Sequence, residues 1–452
     1  MTDIDIKNKE SNSELKRELS FRDIFFMSLG GQAPFLSMLT FATAVLLLAA
    51  YFSPLAVIIG TFVVLMNGIV VLLLSRKHTE TGGYFNYAIK ELSRWFGFET
   101  GWMYIFYSIL YGSSYLAGSA FILSYVLGIN PVFALLIAFV PTSIFLLVGI
   151  KPSARYAIFA ASIEIIVLIS VIFVTLDIAH FTFYNPTSSV PSGSSIFLGI
   201  LFAIGIPTGY GAITPVSGEV KNAEKSVGKA AVMVIIIGGL LEAFVLYGIV
   251  DAGIYTGTLS SLTSSTIPII SIMKKYLGPY SIYLLLFAGI NDGILGSLAF
   301  FTASTRNVYA MSKRNLLPSF VKTLYKKTGT PVMAGIITLV IAGFVLFPSI
   351  GFLGAFATFL GLATLAGLGN LAIHLAANFS MLQSLRHTLH KKISQESIVL
   401  GAIGISGFII IYSLITSVTY VILIFLGYML IGFIAVESIY GNMGKSNSPQ
   451  KN

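Results

Sequence analysis

Apolar residues form long stretches along most of this chain, and short polar segments separate them. A transmembrane helix needs about 20 mostly apolar residues, and twelve stretches meet this requirement. They cover 24–51, 54–74, 102–127, 132–150, 156–176, 195–216, 230–254, 280–305, 332–347, 351–377, 398–415 and 418–439. The last two share one apolar run, which we divide near Thr416. The pattern therefore predicts an all-α membrane protein with 12 transmembrane helices.

Composition supports a lipid environment. Of the 452 residues, 56% are hydrophobic and only 10% are charged, and the mean hydropathy is +0.89. Soluble domains carry about 25% charged residues, so this chain could not cover a surface facing water. The 43 glycines suit close packing between helices in lipid. The absence of cysteine excludes disulfides and thiol catalysis.

The positions of the basic residues predict the orientation. If the N-terminus is cytoplasmic, all but two of the 27 lysines and arginines lie on the cytoplasmic side, the exceptions being Lys274 and Lys275. Such an asymmetry is typical of multi-pass membrane proteins. We expect a plasma-membrane protein with both termini in the cytoplasm. The net charge of +9 then needs no nucleic-acid partner.

Glycine and proline interrupt two of the spans near their centres. The first span contains Gly-Gly-Gln-Ala-Pro at 30–34, and the sixth contains Gly-Ile-Pro-Thr-Gly-Tyr-Gly at 205–211. Proline removes a backbone donor, and unpaired backbone at membrane depth is tolerated only where protein or a water-filled cavity satisfies it. Such residues also kink packed helices, but a matched pair of breaks favours a binding site.

The broken spans are one and six, so each is the first of five. Because five is odd, the second half enters the membrane inverted, and we predict a 5+5 inverted repeat with two peripheral helices. The predicted units are a tail (1–23), two repeats (24–178 and 195–378), helices 11 and 12 (397–440) and a second tail (441–452). This arrangement is typical of secondary active transporters with a midplane substrate site.

Three short sequences support a family resemblance. Thr-Gly-Tyr at 208–210 precedes Ser-Gly-Glu-Val-Lys-Asn-Ala at 217–223, Thr-Gly-Gly-Tyr-Phe-Asn-Tyr occupies 81–87, and Ser-Thr-Arg-Asn-Val-Tyr-Ala-Met occupies 304–311. With these three sequences in this arrangement, the chain resembles the amino acid–polyamine–organocation superfamily of permeases. The resemblance extends from about Phe21 to Ala377. The resemblance implies the leucine-transporter fold, alternating access, and an amino acid or related amine as substrate. Gly211, Gly218 and Ala223 depart from the family pattern.

The two breaks supply the candidate substrate site. Backbone N–H groups at the first break could bind a carboxylate, since glycine allows close approach, and carbonyls freed at the second could accept from an ammonium. The candidate contacts are Gly30, Gly31, Gln32, Pro207, Thr208, Gly209 and Tyr210. The resemblance places Tyr210 at an aromatic gate, although packing also explains a tyrosine there.

Three carboxylic acids lie well inside predicted spans. Glu164 falls where some proton-coupled relatives carry a lysine, and a protonated Glu164 could donate a hydrogen bond to the unwound first span. Asp292 could bind a proton, a metal ion or a cationic substrate group. Charges at this depth are costly and indicate function, although a hydrogen-bonded structural acid is an alternative for both. For Glu242 we expect a structural role, and for His374 a packing role.

The expected function is secondary transport of an amino acid or amine, with a proton as the coupling ion. A sodium-coupled or polyamine carrier is the alternative among transporters, and a non-transporting sensor is the alternative outside them. No arrangement of catalytic residues or metal ligands is evident in the sequence. We therefore expect no enzyme activity, cofactor, metal, nucleic acid or obligate protein partner.

The topology can be tested with reporters. Fusions at the N-terminus and the C-terminus should both report a cytoplasmic location, while a tag beside Lys274 should be accessible from outside. Termini on opposite sides of the membrane would rule out twelve spans and, with them, the inverted repeat.

Overall fold

The computed structural model describes residues 15–264, 268–386 and 393–446. Within these ranges the chain is helical and forms no strand beyond one isolated bridge. Ten helical segments there are long and apolar enough to cross a membrane. One of them, Phe21–Lys77, contains both of the first two predicted spans, and a shorter apolar helix, Gly193–Gly205, lies in the sixth. The all-α membrane class is confirmed, while the count of twelve stays a prediction.

We number the α-helices of the described residues in chain order. The first nine are α1 (Phe21–Gly30), α2 (Pro34–Ser37), α3 (Thr43–Ala49), α4 (Ser53–Lys77), α5 (Tyr84–Glu91), α6 (Arg94–Leu127), α7 (Pro131–Val148), α8 (Ile150–Ile178) and α9 (Gly193–Gly205). The others are α10 (Ala223–Tyr255), α11 (Leu259–Thr263), α12 (Pro268–Leu277), α13 (Tyr280–Phe287), α14 (Gly293–Lys313), α15 (Val332–Leu353), α16 (Ala355–Arg386), α17 (Ile393–Thr416) and α18 (Thr419–Ser446).

The predicted spans agree with these helices except at some ends. Helices α17 and α18 separate after Thr416, where the sequence was divided. The sixth span differs most, because α9 ends at Gly205 and the chain continues as a 3₁₀ turn over Thr208–Ala212. Helix α18 continues to Ser446, inside the predicted C-terminal tail. Residues 1–14 and 447–452 of the predicted tails lie outside the described residues.

Small residues bring α4 into close contact with its neighbours α9 and α10. A Cβ atom at Gly60 of α4 would lie 2.9 Å from the backbone of Ala203 in α9. Gly239 of α10 likewise faces Thr61 of α4 and leaves no room for a side chain. Such contacts let backbones approach in lipid, where apolar burial gives helices no drive to associate.

An ion pair is buried where α14 approaches the segment after the second break. The Nε of Arg306 donates to Oε1 of Glu219 over 2.8 Å, and its Nη2 donates to Oε2 over 3.3 Å. Both side chains are almost fully buried. The chain before α1 joins this cluster, since Leu19 forms a parallel bridge with Val220. The beginning of the chain, the second break and α14 are therefore held together at one end of the bundle.

The buried ion pair gives a stability prediction. Glu219→Leu should lower the free energy of unfolding by about 3–5 kcal/mol, because it leaves Arg306 buried without its partner. The double variant Glu219→Leu/Arg306→Met should recover most of this loss, since no buried charge then remains. The measurement is chemical unfolding in mixed micelles.

The exposed pair of Lys90 and Glu80, with Nζ and Oε1 2.6 Å apart, provides the control. Lys90→Met should change the free energy of unfolding by about 1 kcal/mol or less. Equal losses at the exposed and the buried pair would contradict a special role for the buried one.

Candidate functional site

The first break is a short turn between α1 and α2. Helix α1 ends at Gly30, Ala33 adopts a left-handed conformation with φ of 45°, and Pro34 begins α2. Here the N–H groups of Gly31 and Gln32 donate to carbonyls of α1, over 2.9 and 3.0 Å. A bound carboxylate would have to compete with these internal bonds.

The second break lies directly against the first. A Cβ atom at Gly209 would lie 2.5 Å from the backbone nitrogen of Gln32 and closer still to the carbonyl oxygen of Ser28. Only glycine fits there, because the two backbones are in contact. A cavity of about 40 Å³, lined in part by Gly205 and Thr208, lies beside the break and holds only a few water-sized molecules. The site is therefore closed in this structure.

A row of tyrosines on α6 pairs the carbonyls that the breaks leave free. The hydroxyl of Tyr104 donates to the carbonyl of Gly211 over 2.7 Å, and that of Tyr115 donates to the carbonyl of Gln32 over 2.8 Å. Tyr111, between them, donates to the carbonyl of Gly205. These positions lie seven and four residues apart, so they share one helix face. One helix thus satisfies the irregular backbone of both breaks.

The amide group of Gln32 is directed towards α10. Its Nε2 donates to the carbonyl of Val234 in α10 over 3.1 Å. Gly238 of the same helix provides the space, because a Cβ atom there would collide with the Gln32 amide. The side chain therefore ties the first break to α10, and only its backbone faces the tyrosines.

Tyr210, the expected gate, is buried against His374. The Tyr210 hydroxyl lies 2.7 Å from Nε2 of His374, and the two rings stack with centroids 5.4 Å apart. The Tyr84 hydroxyl lies 3.4 Å from the same nitrogen. His374 Nδ1 has no partner among the described residues. His374 thus packs as expected, but it also connects the second break to α5 and α16.

The two acids predicted for coupling lie side by side. Asn291 donates from Nδ2 to Oε1 of Glu164 and, over 3.2 Å, to Oδ1 of Asp292. The hydroxyl of Tyr156 orients the amide by donating to Asn291 Oδ1 over 2.7 Å. Both acids are fully buried, and neither forms a salt bridge with a described residue.

Asp292, rather than Glu164, contacts the first break. Its Oδ2 accepts from the N–H of Leu36 over 2.6 Å, in the first turn after Pro34. The N-terminal turn of a helical segment presents unpaired N–H groups and a partial positive charge, which favour a carboxylate. The hydrogen bond that we expected Glu164 to donate to the first span is thus replaced by one that Asp292 accepts. In the described hydrogen bonds, Glu164 is connected to that span through Asn291 and Asp292.

A π-helical turn over Ala288–Asp292 presents these side chains. Such turns are rare and often occur at functional sites. Here the turn joins α13 to α14, and the hydroxyl of Ser119 on α6 donates to the carbonyl of Gly289. The turn directs Asn291 and Asp292 to one buried cluster, although they are adjacent in sequence.

Glu242 lies nearer to these acids than its sequence position indicated. It is buried on α10 within electrostatic range of Asp292 and Glu164. Neither of its carboxylate oxygens has a partner among the described residues. A purely structural role leaves that lack of partners unexplained.

The sequence interpretation missed the tyrosine row and the role of Asn291. A signal for the row was present, because Tyr104, Tyr107, Tyr111 and Tyr115 follow helical spacing. Nothing in the sequence showed that these side chains face the two breaks. The Asn291 bridge depends on α8 and the π-helical turn before α14 meeting at one depth, which only the fold establishes.

Comparisons with known proteins agree with this architecture. The model of the family described as amino acid permease matches residues 23–395. An uncharacterized amino-acid permease of Schizosaccharomyces pombe is 29% identical over 170 residues. That match covers 36% of this chain and 29% of the relative, so it spans less than a third of the relative's length.

The tyrosine row can be tested with conservative variants. Tyr115→Phe should lower the free energy of unfolding by about 1–3 kcal/mol, because it leaves the buried carbonyl of Gln32 without its donor. Tyr111→Phe should cost less, because Thr208 Oγ1 also donates to the carbonyl of Gly205 over 2.6 Å. Unfolding in mixed micelles measures the loss.

Tyr107→Phe is the matched control. Tyr107 lies on the same helix and is also fully buried, but its hydroxyl has no hydrogen-bond partner among the described residues. Its substitution should leave the unfolding free energy nearly unchanged. If all three variants lost stability equally, packing and not carbonyl pairing would explain the row.

Proposed function

Since this chain belongs to the amino acid permease family, we propose that it is a secondary active transporter of an amino acid or related amine, coupled to protons. The family indicates a transporter rather than an enzyme. We place the protein in the plasma membrane with both termini cytoplasmic, as the basic residues predict. The observation that carries the coupling proposal is the hydrogen bond from Leu36 to Asp292, in a carboxyl pair with Glu164.

The proposed substrate site lies between the two breaks. Gly30, Gly31 and Gln32 offer backbone N–H groups to a carboxylate, while the backbone near Pro207, Thr208 and Gly209 offers carbonyls to an ammonium. The breaks now contact each other at Gly209, so a solute enters only when they separate. Separation and closure around a midplane site are what alternating access requires.

Tyr210 completes the proposed site as a gate. Its hydrogen bond to His374 joins the second break to α16, so opening on that side has to break the bond or move both residues together. The same hydrogen bond explains why Tyr210 is buried here rather than lining an open cavity.

The carboxyl pair provides a physical route from proton binding to movement. Charged Asp292 accepts from the N–H of Leu36 and holds α2 in place. A proton on the pair weakens this acceptor, so the state with α2 docked and the state with α2 released differ in proton affinity. A proton gradient can shift a conformational equilibrium only when such a difference exists. One proton also lowers the charge of the pair from two to one, which reduces the repulsion between two carboxyls that have no described basic partner.

Sodium coupling is the alternative for the same cluster, since carboxylate and amide oxygens also suit a cation. A polyamine carrier would use the buried acids to bind its substrate. A sensor would bind a solute at the breaks without moving it. Measurements of substrate binding and of uptake under proton and sodium gradients separate these possibilities.

Glu164→Gln should retain substrate binding and exchange but lose accumulation driven by a proton gradient. The substitution keeps the hydrogen bond with Asn291 possible and removes the titrating group. The measurement is uptake of radiolabelled amino acids and amines into proteoliposomes, with either an inward proton gradient or an inward sodium gradient. Asp292→Asn should also uncouple, and it should weaken the docking of α2.

Glu242→Gln is the control, since this acid contacts neither Asn291 nor Leu36 in the described hydrogen bonds. It should still accumulate substrate. Normal accumulation by Glu164→Gln, or wild-type uptake driven by sodium alone, would contradict proton coupling through the pair. Binding without any uptake would favour the sensor.

A further inference from the structure

A second, mostly apolar cavity is separate from the two breaks, since none of their residues lines it. It encloses about 710 Å³ between α6, α15, α16 and α18. Five residues spaced four apart, from Ile337 to Leu353, form its wall on α15. Because a helix rises about 1.5 Å per residue, this wall is about 24 Å long. The cavity is therefore a groove and not a compact chamber.

The groove lies at membrane depth and opens on the outer surface of the bundle. Its walls belong to four helices that are long and apolar enough to span a membrane. Ile341, Leu353 and Ile424 line it and remain exposed. One leaflet contributes about 15 Å of hydrocarbon, so the groove is longer than the path of a chain that crosses one leaflet. Its shape and apolar walls suit an extended acyl chain.

Basic residues lie at one end of the groove. Phe320 and Val321 close that end, and Lys322 ends the same turn. Lys326 and Lys327 follow within five residues in the sequence, and no described carboxylate forms a salt bridge with any of the three lysines. The sequence contains no acidic residue between Asp292 and Glu396. This end therefore attracts an anionic group.

Trp102 lies at the same basic end. Asn307 donates to the carbonyl of Gly101 over 2.9 Å, which places this part of α6 beside the end of α14. The indole donates to the carbonyl of Tyr428 over 3.0 Å and stacks on its ring. Glu99, one turn earlier, faces Gly432 of α18 rather than the groove. The groove thus has an aromatic, amphipathic rim of the kind found at membrane interfaces.

We propose that this groove binds one acyl chain of an anionic phospholipid, with its headgroup held by Lys322, Lys326 and Lys327. The apolar walls account for binding of the chain, and the lysines account for the preference for a negative headgroup. The site is independent of the breaks and of the transport proposal, because no residue of the breaks lines it.

The chain provides its own probe. Trp95 and Trp102 are the only tryptophans in the sequence, so Trp95→Phe leaves Trp102 as the only source of tryptophan fluorescence. Brominated phosphatidylglycerol, added to the purified protein in mixed micelles, should quench this fluorescence at a lower mole fraction than brominated phosphatidylcholine. Bromines near the headgroup should quench more strongly than bromines near the chain end, because Trp102 lies at the basic end.

Two variants test the walls and the charges separately. Gly361→Phe fills the groove, and each methylene that it displaces should weaken binding roughly fourfold. Gly407→Phe on α17 is the matched control, since a Cβ atom at either glycine meets nothing within 4 Å and only Gly361 lines the groove. Replacing the three lysines by glutamine should weaken phosphatidylglycerol binding roughly fivefold per lysine. The same replacement at Lys221, Lys225 and Lys229 should not.

Equal quenching by the two lipids would contradict the preference for an anionic headgroup. Stronger quenching by bromines at the chain end would contradict the placement of the headgroup at the basic end. Unchanged quenching in Gly361→Phe would overturn the groove as the site. A dimer that Gly361→Phe dissociates would show that a second copy covers the groove instead. The lipid comparison uses the unaltered groove, so it decides the proposal even if Gly361→Phe folds poorly.

Discussion

Irregular carbonyls at membrane depth have to find hydrogen-bond donors, and three tyrosine hydroxyls on α6 donate to three of those at the two breaks. Lipid offers no substitute donor, so the breaks can exist only where α6 passes them. This requirement explains why Tyr104, Tyr111 and Tyr115 are fully buried although each carries a hydroxyl. It also fixes the distance between the broken segments, because one rigid helix holds both.

The polar groups of the acid cluster are also paired with one another. Asn291 donates its amide hydrogens to the two carboxyls, and the hydroxyl of Tyr156 donates to its amide oxygen. Asp292 in turn pairs the backbone at the start of α2. The first break is thus held from two sides, by Tyr115 on α6 and by the carboxyl of Asp292 on the π-helical turn. A change in either the Tyr115 or the Asp292 contact would therefore affect the position of α2.

The sequence predicted what depends on local composition. The lengths of the apolar stretches predicted the membrane helices. Glycine and proline predicted both breaks, because their effects act within one turn of a helix. The predicted end of the sixth span was wrong, because α9 ends at Gly205 and the 3₁₀ turn that follows depends on neighbouring helices. Glu164 and Asp292 were recognised as candidates, but not as a pair. Their connection through Asn291 joins α8 to the π-helical turn before α14, which hydropathy cannot reveal.

The link between Gln32 and Val234 has a consequence for biosynthesis. The two residues are 202 positions apart, and a ribosome adding about 5–20 residues per second needs about 10–40 s to make that length. During this time the first break is in the membrane without the helix that holds its side chain. The Gln32 amide of the newly inserted first half therefore lacks its hydrogen bond to Val234 until the second half is inserted. Its assembly is set by the order of synthesis as much as by the final contacts.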